Sequence, residues 1–266
     1  MRFFVLLSQI KHMKIALFQT KLAWENPEKN RKLIEEYVVN ESQMFDLLVL
    51  PEMFTSGFTM HPENVAETMS GHTIQWLQAL AKVRNCAITG SLVIEENGSF
   101  FNRMVFVFPT GEMEYYDKRH LFTLAGENTK YQPGKQKKIV QYLDYKFCLQ
   151  VCYDLRFPVF ARNVEDYDVL LYVANWPKPR ISAWDTLIQA RAIENMCYAI
   201  GVNRIGTDGN ELEYVGHSQV IDYLGNIVVT CKSEQGVFIY TLDKTAMMIT
   251  RQKLNFLNDK DAFELR

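Results

Sequence analysis

Three reactive side chains stand where apolar, strand-like runs end. Glu52 follows the run at 46–50, Lys118 the run at 112–116, and Cys152 the run at 147–151. Hydrolysing an amide through a thiol needs a base to take the thiol proton. It also needs a cation or N–H donors where the carbonyl oxygen becomes negative. A carboxylate, an ammonium and a thiol supply those parts. Each alone is weak evidence, because a Glu or Lys after a strand is usually a solvated loop residue and a lone Cys in a strand is usually structural. No His lies beside Cys152, so a Cys–His dyad is not indicated. Cys148 and Cys152 are four apart and could share one strand face, but without a neighbouring His no metal site is expected.

The elements around these residues must deliver them to one place. Pro51 cannot continue a central strand, so Glu52 is presented at a strand's C-terminal end, where α/β proteins place their chemistry. Asp154 reads as the cap of a helix over about 156–164, with Pro158 in its first turn. Cys152 then lies before a helix N-terminus, where free N–H groups favour a thiolate and a developing oxyanion. Further along, 14–20, 86–94, 100–108, 169–173, 198–203 and 236–242 read as strands, with a hairpin joining 215–222 to 226–230. Helical spacing covers about 26–44, 73–84 and 182–196, and 124–134 reads as a loop containing Glu127. This order predicts mixed sheets in two layers with helices outside, in one domain over residues 13–266.

Composition narrows the function. A net charge of −2 with no long run of one sign argues against a nucleic-acid or anionic-membrane partner. Five cysteines without a CxxC pair fit a reducing cytoplasm better than a disulfide framework. Residues 1–12 contain an apolar run too short to span a membrane; a weak signal peptide is one reading, a dispensable extension before Met13 the preferred one. There is no GxGxxG and no Walker loop, and no cofactor is expected.

At the three reactive residues the chain resembles the carbon–nitrogen hydrolase, or nitrilase, superfamily. The resemblance rests on Leu-Pro-Glu-Met-Phe at 50–54, Tyr-Asp-Lys-Arg-His-Leu-Phe at 116–122 and Val-Cys-Tyr-Asp-Leu-Arg-Phe-Pro at 151–158, in that order. It implies a four-layer αββα sandwich and a Glu-Lys-Cys triad. Glu52 would be the general base, Lys118 would stabilise the tetrahedral intermediate, and Cys152 would carry the acyl group as a thioester. Glu127 corresponds to a further family glutamate that helps to position the lysine and substrate. The resemblance also implies a homodimer or larger homo-oligomer.

Met-Phe-Thr-Ser-Gly-Phe at 53–58, His-Leu-Phe-Thr-Leu-Ala-Gly-Glu at 120–127 and Asn-Trp-Pro-Lys-Pro-Arg at 175–180 look like the bacterial omega-amidase branch. That branch acts on small amides such as 2-oxoglutaramate and 2-oxosuccinamate, which also carry a carboxylate. Arg180 could clamp that carboxylate, or only cap or salt-bridge the following helix. Phe54, Tyr116, Tyr153 and Trp176 are candidate pocket walls, each equally readable as plain core. An N-carbamoyl compound or a nitrile is the alternative substrate, and a non-catalytic binding protein of this fold the alternative class.

Overall fold

A computed structural model describes residues 12–265; the expectation for the first twelve residues lies outside that range except at His12. The central strands are apolar on both faces, so each needs a layer above it and a layer below it. The first sheet takes β1 (Met13–Gln19), β2 (Leu47–Val49), β3 (Ala87–Glu96), β4 (Ser99–Val107) and β5 (Met113–Asp117). The second takes β6 (Lys138–Tyr142), β7 (Tyr145–Val151), β8 (Val169–Ala174) and β9 (Tyr198–Asn203). A separate ribbon pairs β10 (Ile205–Thr207) with β11 (Glu213–Val215). Then β12 (Gln219–Ile221) and β13 (Ile227–Thr230) join the second sheet, and β14 (Gly236–Leu242) returns to the first. The orders are β14-β1-β2-β3-β4-β5 and β13-β12-β9-β8-β7-β6.

Period-two alternation explains the layering. Along β1, Ile15 and Leu17 enter the core between the sheets, whereas Ala16 and Phe18 meet the helices outside. Along β8, Val169, Leu171 and Val173 face inward, and Leu170, Tyr172 and Ala174 face the opposite helix layer. Helices α1 (Pro27–Asn40) and α2 (His72–Arg84) cover the first sheet with Ile34, Val38, Ile74, Leu77 and Ala81. Helix α5 (Ile181–Asn195) covers the second with Trp184, Ile188 and Ala192. It approaches closely because Gly201 on β9 has no side chain: a Cβ there would stand 2.3 Å from Ile188 Cδ1. The result is the expected αββα sandwich of mixed sheets.

Several local expectations are corrected. Segment 123–130 is not an open loop but a 3-10 turn followed by one helical turn, α3 (Glu127–Lys130). The helix expected over 156–164 shrinks to α4 (Pro158–Ala161), and a 3-10 segment, Cys152–Arg156, precedes it. Asp154 is not the cap of α4, whose N-cap is Phe157; its carboxylate turns back to the start of its own 3-10 segment and accepts the Val151 N–H at 2.9 Å. Val215, expected to begin the hairpin, instead ends the ribbon strand β11. Strand β6 and helix α6 (Lys244–Leu254) are additions; α6 is capped by Asp243 and buries Met247 between the sheets. Among the described residues no helix is long and apolar enough to cross a membrane.

Candidate active site

Both sheets have a parallel centre, β1-β2-β3 and β7-β8-β9. The C-terminal ends of these strands share one rim, and the rim holds the polar residues. Glu52 follows β2, Cys152 follows β7 and Asn175 follows β8. Strand β5 is antiparallel to β4, which is antiparallel to β3, so Lys118 also leaves its strand at that rim.

The structure brings Glu52, Lys118, Glu127 and Cys152 together. Lys118 Nζ donates to Glu52 Oε1 at 2.9 Å and to both oxygens of Glu127, at 3.0 and 2.9 Å. All three side chains are fully buried. Burial works against the ammonium, but the charges of Glu127 and Glu52 outweigh it and hold Lys118 protonated above the usual lysine range. Burial also pushes the Glu127 carboxyl up, with Lys118 opposing. The Phe122 N–H donates to Glu127 Oε2 at 2.5 Å, fixing the carboxylate beside the lysine.

Glu52 is held from two further sides. Asn102 Nδ2 donates to its Oε1 at 2.8 Å, and the Asn175 backbone N–H to its Oε2 at 2.8 Å. The Asn175 side chain donates to the Glu52 carbonyl at 2.6 Å. A carboxylate fixed by that many donors can take a proton without first reorganising.

Cys152 occupies the left-handed region, φ 46°, which a side chain rarely adopts. Its Sγ lies 4.0 Å from the Asn175 carbonyl. Burial, reinforced by Glu52, pushes the thiol well above the usual cysteine range, while Lys118 pulls the other way. The resting group is therefore a thiol beside a carboxylate. Lys118 and the N–H groups at the start of the 3-10 segment that begins at Cys152 can serve as donors to a developing oxyanion.

A cavity of about 330 Å³ opens over Cys152 and Lys118. Tyr153, Trp176 and Arg180 line it, as do Arg156, Phe58 and Phe122. Phe54 and Tyr116 do not. Phe54 is buried under the helices of the first sheet, beside Gly90, where a Cβ would lie 3.0 Å from its ring. Tyr116 packs between the sheets and donates its hydroxyl to Asp154 at 2.8 Å. The Arg180 guanidinium lies 5.2 Å from the centre of the Phe122 ring, and that of Arg156 5.0 Å from Trp176. Neither has a carboxylate partner among the described residues, so the salt bridge expected as one alternative for Arg180 is not formed there. Cys148 faces the helix layer of the second sheet, and Cys152 lies past the end of β7, packed partly against the same cluster.

Sequence reasoning missed Asn102 and Arg156. Asn102 had a signal: it shares the inward phase of β4 with Met104 and Phe106, where a polar residue must have a buried partner. Arg156 had none, because its role depends on where a loop folds back.

Residues 14–252 match the family model described as carbon–nitrogen hydrolase. The chain is 40% identical over 255 residues to omega-amidase YafV of Escherichia coli K12, covering 95% of this chain and 98% of that protein. It is 30% identical over 250 residues to 2-oxoglutaramate amidase of Bacillus subtilis 168, covering 92% and 96%. The crystal structure of a CN-hydrolase superfamily protein from Xanthomonas campestris, with an arsenic adduct in its active site, superposes with a TM-score of 0.94. That chain is 40% identical, with 96% of this chain and all of the other covered. With the fold, the rim and the matched span all in agreement, the chain belongs to the carbon–nitrogen hydrolase family.

Proposed function

We propose that this amidohydrolase cleaves the terminal amide of small ω-amido 2-oxo acids, such as 2-oxoglutaramate and 2-oxosuccinamate, to the dicarboxylate and ammonia. The observation that carries the reading is one cavity with a thiol and an ammonium in its floor and two unpaired guanidiniums in its wall. The names of the Escherichia coli and Bacillus subtilis relatives support the substrate class.

In the reaction, Glu52 takes the Cys152 proton as the sulfur attacks the amide carbon. Lys118 and the N–H groups at the start of the 3-10 segment receive the negative oxygen. Glu52 returns the proton to nitrogen and ammonia leaves a thioester on Cys152. Water, deprotonated by Glu52, adds to the thioester carbon; the C–S bond breaks, Glu52 returns the proton to the Cys152 sulfur, and the carboxylate product leaves. Glu127 keeps Lys118 in place throughout. Arg180 holds the substrate's distal carboxylate, the geometry for which a planar guanidinium is suited.

Ammonia release from purified protein tests this against a panel of ω-amides, N-carbamoyl compounds and nitriles. The expected order places ω-amido 2-oxo acids first in kcat/KM. A carbamoyl compound or nitrile turned over faster would overturn the substrate assignment and leave the amidohydrolase family standing.

A further inference from the structure

The segment that bears Lys118 and the elbow that bears Cys152 meet on one buried carboxylate. Asp154 is fully buried, and its Oδ2 accepts from Val151 N–H at 2.9 Å and from Tyr116 Oη at 2.8 Å. Its Oδ1 accepts from His120 N–H at 3.0 Å and faces His120 Nδ1 at 2.7 Å. Tyr116 Oη in turn accepts the Arg119 N–H at 3.1 Å. Residues 116, 119 and 120 are thus tied, directly or through one hydroxyl, to the carboxylate that holds the residue before Cys152. Lys118 lies inside that span.

The His120 ring is placed by more than this contact. It stacks on Phe157 with centroids 3.8 Å apart and planes 6° from parallel, and Phe160 meets it edge-on at 5.4 Å. Its side chain is 21% exposed, whereas Asp154 and Tyr116 are buried. A carboxylate oxygen only accepts, so the Nδ1 atom facing it carries the ring proton.

Such an anchor has a task to perform. Cys152 is a non-glycine residue in the left-handed region, a conformation that persists only where its surroundings impose it. Lys118 reaches the site from the other sheet, so its distance to the sulfur depends on how the two sheets' rims are fastened. We propose that His120 is a positioning residue which, through Asp154, holds Lys118 and Cys152 in register for attack on the amide.

The inference rests on Cys152 being the nucleophile, and its test separates the two. His120→Asn keeps an N–H donor for Asp154 and loses the stacked ring; His120→Phe keeps a ring on Phe157 and loses the donor. Expected for His120→Phe is a fall in kcat of between about tenfold and a hundredfold, as small misplacements at a reacting centre produce, with KM essentially unchanged. His120→Asn should recover most of that loss. The rate of iodoacetamide alkylation at Cys152, which needs no substrate, should shift in His120→Phe and return towards wild type in His120→Asn. Wild-type kcat in His120→Phe, an equal loss in both variants, or a change in KM alone overturns the proposal. Should His120→Phe fail to fold, Tyr116→Phe removes one hydroxyl from the same carboxylate while keeping the ring. A lower kcat at constant KM then supports the anchor, and an unchanged kcat overturns it. Full turnover in Cys152→Ala would instead defeat the nucleophile assignment on which both rest.

Discussion

At the floor of the cavity Lys118 is fully buried between Glu52 and Glu127; in its wall Arg156 and Arg180 lie on Trp176 and Phe122 with no carboxylate beside them. Both regions are cationic, yet only the first is neutralised by the protein. Charge at the floor is arranged in advance and must not move, because the reaction supplies only a transient oxyanion there. Charge in the wall is left for a ligand to complete. An aromatic face attracts a guanidinium without occupying its N–H fork, so the donors stay available. On the proposed function, chemistry belongs to one region and selection to the other, and variants in each should fail in different ways.

Failure should be largest at the floor. Glu52→Gln cannot accept the thiol proton, and kcat should fall on the order of 10⁴-fold or more, as for other residues that act as a unit with the nucleophile. The same variant gives a second reading. Glu52 raises the Cys152 pKa, so removing its charge lowers that pKa. The pH midpoint for iodoacetamide alkylation of Cys152 should move down even as turnover is lost. A midpoint that stays or rises would show that Glu52 does not face the thiol as a charge.

Glu52, Lys118 and Cys152 in this floor were legible in the sequence because each ends an apolar run, whereas Glu127 came only from the family resemblance. Cys152 directly follows a strand buried on both faces, and Glu52 follows another after Leu50 and Pro51. The wall was only partly legible. Tyr153, Trp176 and Arg180 line the cavity as expected, but Phe54 and Tyr116 are core, since nothing in a local pattern tells an aromatic over a pocket from one beneath it. The segment after Cys152 misled for a physical reason. Asp154 has a capping residue's chemistry, yet three donors from 116–120 and the Val151 N–H claim its carboxylate first. Strand β6 was missed because it is an edge, with Val140 buried and Gln141 exposed, and α6 because Met247 is its one buried residue.

In the wall, Arg180 should govern choice rather than rate. An ω-amide with a free carboxylate should exceed its ester in kcat/KM by about thirtyfold, the value of a charge-assisted contact of about 2 kcal/mol. Arg180→Lys should lose most of that preference, because an ammonium cannot reproduce two parallel N–H bonds. kcat for a neutral amide should barely change. Equal loss for acid, ester and neutral amide would place Arg180 with the floor and erase the distinction between the regions.

The smallest effect should come from Arg156, and it divides the wall itself. Arg156 is exposed where Arg180 is half-buried, although both line the same cavity. Solvent and salt screen an exposed charge, so its action on an anionic substrate is long-ranged attraction during approach. Arg156→Gln should therefore lower kcat/KM for the acid by about fivefold at an ionic strength of about 10 mM, where the screening length is about 30 Å. Near 1 M, where that length is about 3 Å, variant and wild type should agree within about twofold. Arg180→Lys should keep its defect across the same range, because a contact made at hydrogen-bond distance is closer than any of these lengths. The measurement is kcat/KM for one acid against ionic strength in both variants. A defect in Arg156→Gln that survives high salt would mean that its guanidinium touches the bound substrate, and the clamp would then be two arginines rather than one.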